Sequence, residues 1–147
     1  MIPGTPTPTP EGEDTTIPSR PAPSPFDGQA LLASMLSLQN TLEQMGGVLD
    51  RFIRGEDATC AEYQSYYEQV AVSPTYSGVP ADWLGTYGLY NDAVDNTLNT
   101  NKDLYLTCIE NGVLSGFNFT VARQGINDSV DILHEAITNA ETLLQGT

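Results

Sequence analysis

The sequence predicts an all-α protein, an up-and-down four-helix bundle carrying an extended Pro/Thr-rich N-terminal tail, and three observations lead there. Apolar residues recur at steps of three and four through two long stretches, helix start and stop residues bracket these and two further segments, and eight of the ten prolines fall within the first 28 of 147 residues. A three-four recurrence is the mark of a helix with one buried stripe. A proline-rich opening has too little to bury to fold alone.

The opening, "MIPGTPTPTPEGEDTTIPSRPAPSPFDG", sets the domain organisation: residues 1–25 are expected to be an extended tail or linker and residues 26–147 the helical bundle. Thr-Pro alternation favours an extended chain without internal hydrogen bonds. In composition it resembles the spacers that hold secreted bacterial domains off a cell surface, and Thr5, Thr7 and Thr9 offer hydroxyls for O-linked sugars.

The first helix is expected over 28–54, where Leu31, Met35, Leu38, Leu42, Met45, Leu49 and Phe52 form the stripe and Ser24, Pro25 and Asp27 supply start signals. Gly46 and Gly47 inside it each cost about 1 kcal/mol relative to alanine, so they point to a close helix contact or a kink. Thr59 and Glu62 form a T-x-x-E capping box that starts a second helix, running to about Val72 with Cys60, Tyr63, Tyr67 and Val70 on one face. Pro74 ends it, and "SPTYSGVP" reads as an extended crossing. Pro80 and Asp82 then announce a third helix carrying Trp83, Leu84, Tyr87, Val94, Leu98, Tyr105 and Cys108, closed at Gly112 by a left-handed cap. The fourth, about 118–145, buries Phe119, Ala122, Ile126, Val130, Leu133, Ile137, Ala140 and Leu144. Short connections make consecutive helices antiparallel. No strand and no internal repeat competes with this reading.

Nineteen acidic residues against five basic ones give a net charge of −14, which repels phosphate backbones and anionic lipids, so no nucleic-acid partner is expected. The carboxylates are scattered and read as solvated faces, with bound cations or a basic partner as the alternative. No apolar run approaches the roughly 18 residues of a membrane span. The start has no basic segment followed by an apolar one, so any secretion signal is expected to have been removed.

Cys60 and Cys108 match no redox, zinc or haem spacing and read as a disulfide, with buried free thiols as the alternative. The pairing sets a geometric condition. The third helix returns about 40 Å over some 25 residues. A second helix of about 13 residues covers only about 20 Å, so the crossing must extend to supply the remainder. Tyr63, Tyr66, Tyr67, Tyr76, Tyr87 and Tyr90, with Trp83, are expected to gather near that crossing as packing. The functional alternative is an aromatic surface or pocket for a sugar or a protein.

Motifs for chemistry are lacking. His134 and Glu135 begin like H-E-x-x-H, but Thr138 stands at the second ligand position, so no metal site is expected and His134 reads as a residue at the edge of the stripe. "QMGGVLD" and "GTYGLYND" lack the lysine and strand of a phosphate loop. "DNTLNTNKD", residues 95–103, lacks the glycine and terminal glutamate of a calcium loop and reads as a solvated helix face. Asn118 and Asn127 head N-x-S/T sequons, sites for glycans. The expected role is therefore non-enzymatic and without cofactor: a secreted or cell-surface module that self-associates through its tail and bundle surface, as in an extracellular filament or layer. The alternative is an extracellular ligand-binding bundle with an aromatic pocket.

Overall fold

The computed structural model describes residues 17–112 and 119–146; Thr5, Thr7, Thr9 and Asn118 lie outside these. The first helix, α1 (Gly28–Arg54), begins where the Asp27 carboxylate accepts the Gln29 and Ala30 amides, and its last turn carries Arg51 and Arg54. Cations there complement the negative end of the helix dipole. Thr59 caps α2 (Cys60–Ala71), its hydroxyl accepting the Glu62 amide at 3.1 Å as the capping box requires. A 3-10 turn over Ala81–Trp83 leads into α3 (Leu84–Asn111), and α4 (Thr120–Gln145) completes the set. Gly55 and Gly112, with φ of 73° and 76°, turn the chain out of α1 and α3, and each donates its amide back into the helix it ends.

The all-α four-helix fold is as expected. Pairings at opposite ends show that each helix runs antiparallel to the next. Arg51 meets Glu62 and Gln44 meets Tyr66 between α1 and α2. Cys60 joins Cys108 and Tyr67 reaches Leu98 between α2 and α3. Asn101 meets Ala122 and Asn96 meets Ser129 between α3 and α4. Asp50 meets Arg123 between α1 and α4.

The second column is the exception. With 12 residues, α2 is about 18 Å long, less than half the roughly 40 Å of α1. Residues 74–77 continue the column in extended form and include β2 (Tyr76–Ser77), after which Gly78 turns the chain with φ of 70°. Against it lies β1 (Ser24–Pro25), in parallel register with Ser24 opposite Tyr76 and Pro25 opposite Ser77. This short ladder was not foreseen. Residues 17–25, which the sequence assigns to the tail, are thus extended but held on the bundle.

The stripe of α1 is buried from Leu31 to Leu49, with Phe52 half-buried, and Cys60, Tyr63, Tyr67 and Val70 of α2 are buried as expected. On α3 the outcome differs. Leu84 is exposed, while Thr86, Thr97 and Asn101 are buried beside Tyr90, Val94, Leu104, Tyr105 and Cys108. The reason lies across the seam: α4 presents Gly125 and Ser129, so polar side chains of α3 find backbone and hydroxyl partners where no large apolar surface opposes them. Asn96 donates to the Gly125 carbonyl and Ser129 Oγ, both at 3.0 Å, and Thr97 bonds Ser129 at 2.8 Å. The stretch 95–103 is therefore not simply a solvated face: Asn96, Thr97, Thr100 and Asn101 turn into the structure, while Asp95, Asn99, Lys102 and Asp103 face water.

Three glycines, Gly28 beneath the Trp83 ring, Gly46 and Gly125, allow close approach. A methyl group at Gly125 would overlap Thr100, and one at Gly46 would lie 2.6 Å from an Arg123 guanidinium nitrogen. Gly46 thus opens the path by which Arg123 crosses α1 to reach Asp50 at 2.8 Å.

Candidate interaction surface

The disulfide Cys60–Cys108 is present, with the Cα atoms 5.4 Å apart, and it ties the first residue of α2 to the last turns of α3. Next to it the tyrosines divide. Tyr63 and Tyr67 form a buried set with Tyr105, a residue outside the expected cluster. Tyr67 and Tyr105 stack at 4.1 Å, worth about 0.5–1.5 kcal/mol beyond their burial. Their hydroxyls are satisfied by the Leu98 carbonyl and the Glu68 carboxylate. Tyr63 donates to Asn101 Oδ1 at 2.7 Å, and Asn101 in turn donates to Thr100 Oγ1 and the Ala122 carbonyl. Burial pushes the Tyr63 phenol well above its usual value. Tyr66 stands apart, bonded to Gln44 at the surface.

Tyr76, Tyr87, Tyr90 and Trp83 form the second set, joined by Phe26. Phe26 meets Trp83 at 5.1 Å and Tyr76 at 6.5 Å, and Tyr87 lies between Tyr76 and Tyr90. The rings fill one another's faces and wrap the crossing. Their hydroxyls hold backbone: Tyr90 donates to the Pro74 carbonyl, Tyr87 accepts the Tyr76 amide, and Tyr76 bonds Ser34 and the Ala30 carbonyl. Burial raises the Tyr90 phenol to about 12.

Onto this frame the chain lays its own proline-rich segment. Arg20 donates to the Ser73 and Pro74 carbonyls and to Asn91 Oδ1 at 2.8–3.0 Å, with its guanidinium 5.6 Å from the Tyr90 ring centre. The Thr75 hydroxyl donates to the Pro21 carbonyl at 3.0 Å, and the Ser24 and Phe26 amides bond the Thr75 and Ser77 carbonyls. The segment is thus held largely by its own donors, the Arg20 guanidinium and the Ser24 and Phe26 amides, with the Thr75 hydroxyl donating to it in return. Arg20 carries no motif, and its one sequence signal is a lone cation in a proline run.

On the α1 side of the same crossing lies an open groove of about 370 Å³. Ala33, Ser34, Ser37, Leu38 and Thr41 of α1 form one wall, and Gln69, Val72, Ser73 and Pro74 the other; no charged side chain lines it.

His134 is exposed on α4, beside a groove of about 490 Å³ shared with Gln39, Glu135 and Glu141, and makes no hydrogen bond to a described residue. No three His, Cys, Asp or Glu side chains among the described residues are placed to hold a metal, and no described helix is long and apolar enough to cross a membrane. Asn127 is exposed and accepts from Arg123 at 2.7 Å, yet Ser129 of its sequon is fully buried against α3. The complete sequon is therefore not presented at the folded surface.

Comparison of the chain with protein-family models, with curated proteins and with solved structures gives no match.

Proposed function

We propose that the protein is a non-enzymatic module, secreted or displayed at a cell surface, that assembles with copies of itself, its N-terminal tail reaching a neighbouring subunit as in an extracellular filament or layer. The observation that carries this reading is the docking of residues 20–26. This extended proline-rich segment is bound to the crossing and its aromatic set through the Arg20 guanidinium, the β1 amides, the Phe26 ring and the Thr75 hydroxyl. A surface built to hold one such segment is suited to hold more, and residues 1–16 are of similar composition. Strand addition of this kind draws affinity from main-chain bonds and from neighbouring side-chain pockets. The disulfide accords with an oxidising, extracellular setting.

The test compares the oxidised full chain with a chain lacking residues 1–16, by light scattering and electron microscopy. Truncation after residue 25 would remove Arg20 and β1, so it would confound assembly with folding. The full chain should form defined oligomers, and the shortened chain should be monomeric with an unchanged melting temperature. A full chain that stays monomeric at high concentration would refute the proposal.

A further inference from the structure

We infer that the two-stranded sheet is sealed against growth on both sides, and that Pro23 and Pro25 seal its open side against strand addition by a second copy. The inference goes beyond the assembly reading and stands without it, since it excludes this edge as a place where copies pair.

The direction of each peptide group carries the argument. The Ser24 and Phe26 amides bond the Thr75 and Ser77 carbonyls at 3.0 and 2.9 Å, so residues 24 and 26 face β2. In an extended strand the residues between them turn their backbone groups the other way. Those residues are Pro23 and Pro25, and proline has no N–H. Each inward amide belongs to a trans peptide, whose carbonyl points opposite to it, so the Pro23 and Pro25 carbonyls turn away from β2. The outer side of β1 therefore offers acceptors and no donor, and an arriving strand would find half of a ladder missing.

The placement is specific. Moved by one position, the same prolines would delete both bonds to β2 and leave the outer donors in place. Strand edges are commonly guarded by charged side chains, by a covering element or by proline. Residues 21–26 read P-A-P-S-P-F and carry no charge, and residues 21–25 are all exposed. Proline is thus the guard that remains.

The far side of β2 is closed by side chains. The Tyr76 amide, which points away from β1, donates to the Tyr87 hydroxyl, and the Pro74 carbonyl accepts from the Tyr90 hydroxyl, both at 2.8 Å. Ladder pairing stops at two strands, and a neighbour's tail is left to contacts outside this ladder.

The experiment compares the oxidised full chain with full-chain Pro23→Ala/Pro25→Ala, which keeps the inward amides and gives the outer edge two donors. Sedimentation velocity over a concentration series should show self-association tighter than in the parent by about tenfold or more, the worth of two added backbone bonds. Hydrogen exchange should show the amides of residues 23 and 25 gaining protection as concentration rises, with those of Ser24 and Phe26 protected throughout. A second variant carries N-methylalanine at both positions, made by joining a synthetic segment 1–59 to residues 60–147 at Cys60, then refolded and oxidised. It lacks both the ring and the N–H, and should associate no more tightly than the parent. An alanine variant that associates no more tightly than the parent would overturn the inference. Association with loss of protection at Ser24 and Phe26 would trace it to an undocked segment, and N-methylalanine chains that associate as tightly as the alanine ones would trace it to the lost ring; either result overturns the assignment too.

Discussion

Reducing Cys60–Cys108 separates the shortest helix from its covalent tie. Cys60 is the first residue of α2, and an isolated helix of 12 residues is marginal in water. The bridge closes a loop with a sequence separation of 48. On the chain-entropy account that removes about 4 kcal/mol of freedom from the unfolded state. Unfolding entropy of about 2.1 cal/mol/K per residue over roughly 125 residues gives about 0.26 kcal/mol/K, so the loss corresponds to a fall of about 15 °C in melting temperature. The assay is thermal melting by far-ultraviolet circular dichroism, with and without a phosphine reductant. Reduction keeps both sulfur atoms in place and so measures the tie itself. The pair Cys60→Ala/Cys108→Ala also removes buried sulfur, at 8 % and 2 % exposure, and should melt lower still. A reduced protein melting within about 3 °C of the oxidised one, a difference below about 1 kcal/mol, would refute the reasoning.

Three further outcomes are expected. Asn101→Ala should cost about 1–3 kcal/mol in urea denaturation, because it removes the side-chain bonds to the Tyr63 hydroxyl and the Ala122 carbonyl and leaves the hydroxyl only its 3.2 Å bond to the backbone carbonyl of residue 101. Gly125→Ala should cost about 1–3 kcal/mol through overlap with Thr100, and adding Thr100→Ala should relieve most of it; strictly additive effects would contradict the close approach. Stability should fall in alkali. The Tyr90 phenol moves from 10.0 to about 12 on folding and Tyr63 shifts the same way, so their contribution is whole below pH 10 and is lost as pH rises through the folded values. For Tyr90 alone two units correspond to about 3 kcal/mol, and denaturation midpoints that stay level to pH 12 would refute this.

The helices were legible because their signals are local. Asp27, Thr59, Gly55 and Gly112 act within one turn of themselves, and the α1 stripe repeats often enough to outweigh two internal glycines. The disulfide was legible by elimination and by a length condition, which the short α2 and its extended continuation satisfy. What stayed hidden depends on partners far along the chain. Asn96 and Thr97 look like surface residues until Gly125 and Ser129 are opposite them. Arg20 looks solvated until residues 73, 74 and 91 surround it. The tyrosines were seen as one group because they are close in sequence, yet the half-length α2 separates those on its helical turns from those on and beyond the crossing.

The direction of β1 also decides how the fold answers a pull. Tension on the N-terminal end is directed along the strand, so the Arg20 contacts and the amide bonds to Thr75 and Ser77 are sheared side by side and share the load. Residues 73–77, which receive that force, lie inside the loop closed by Cys60 and Cys108. A tug on that end therefore arrives in a covalently closed ring, and must break several bonds together to strip β1 from the crossing.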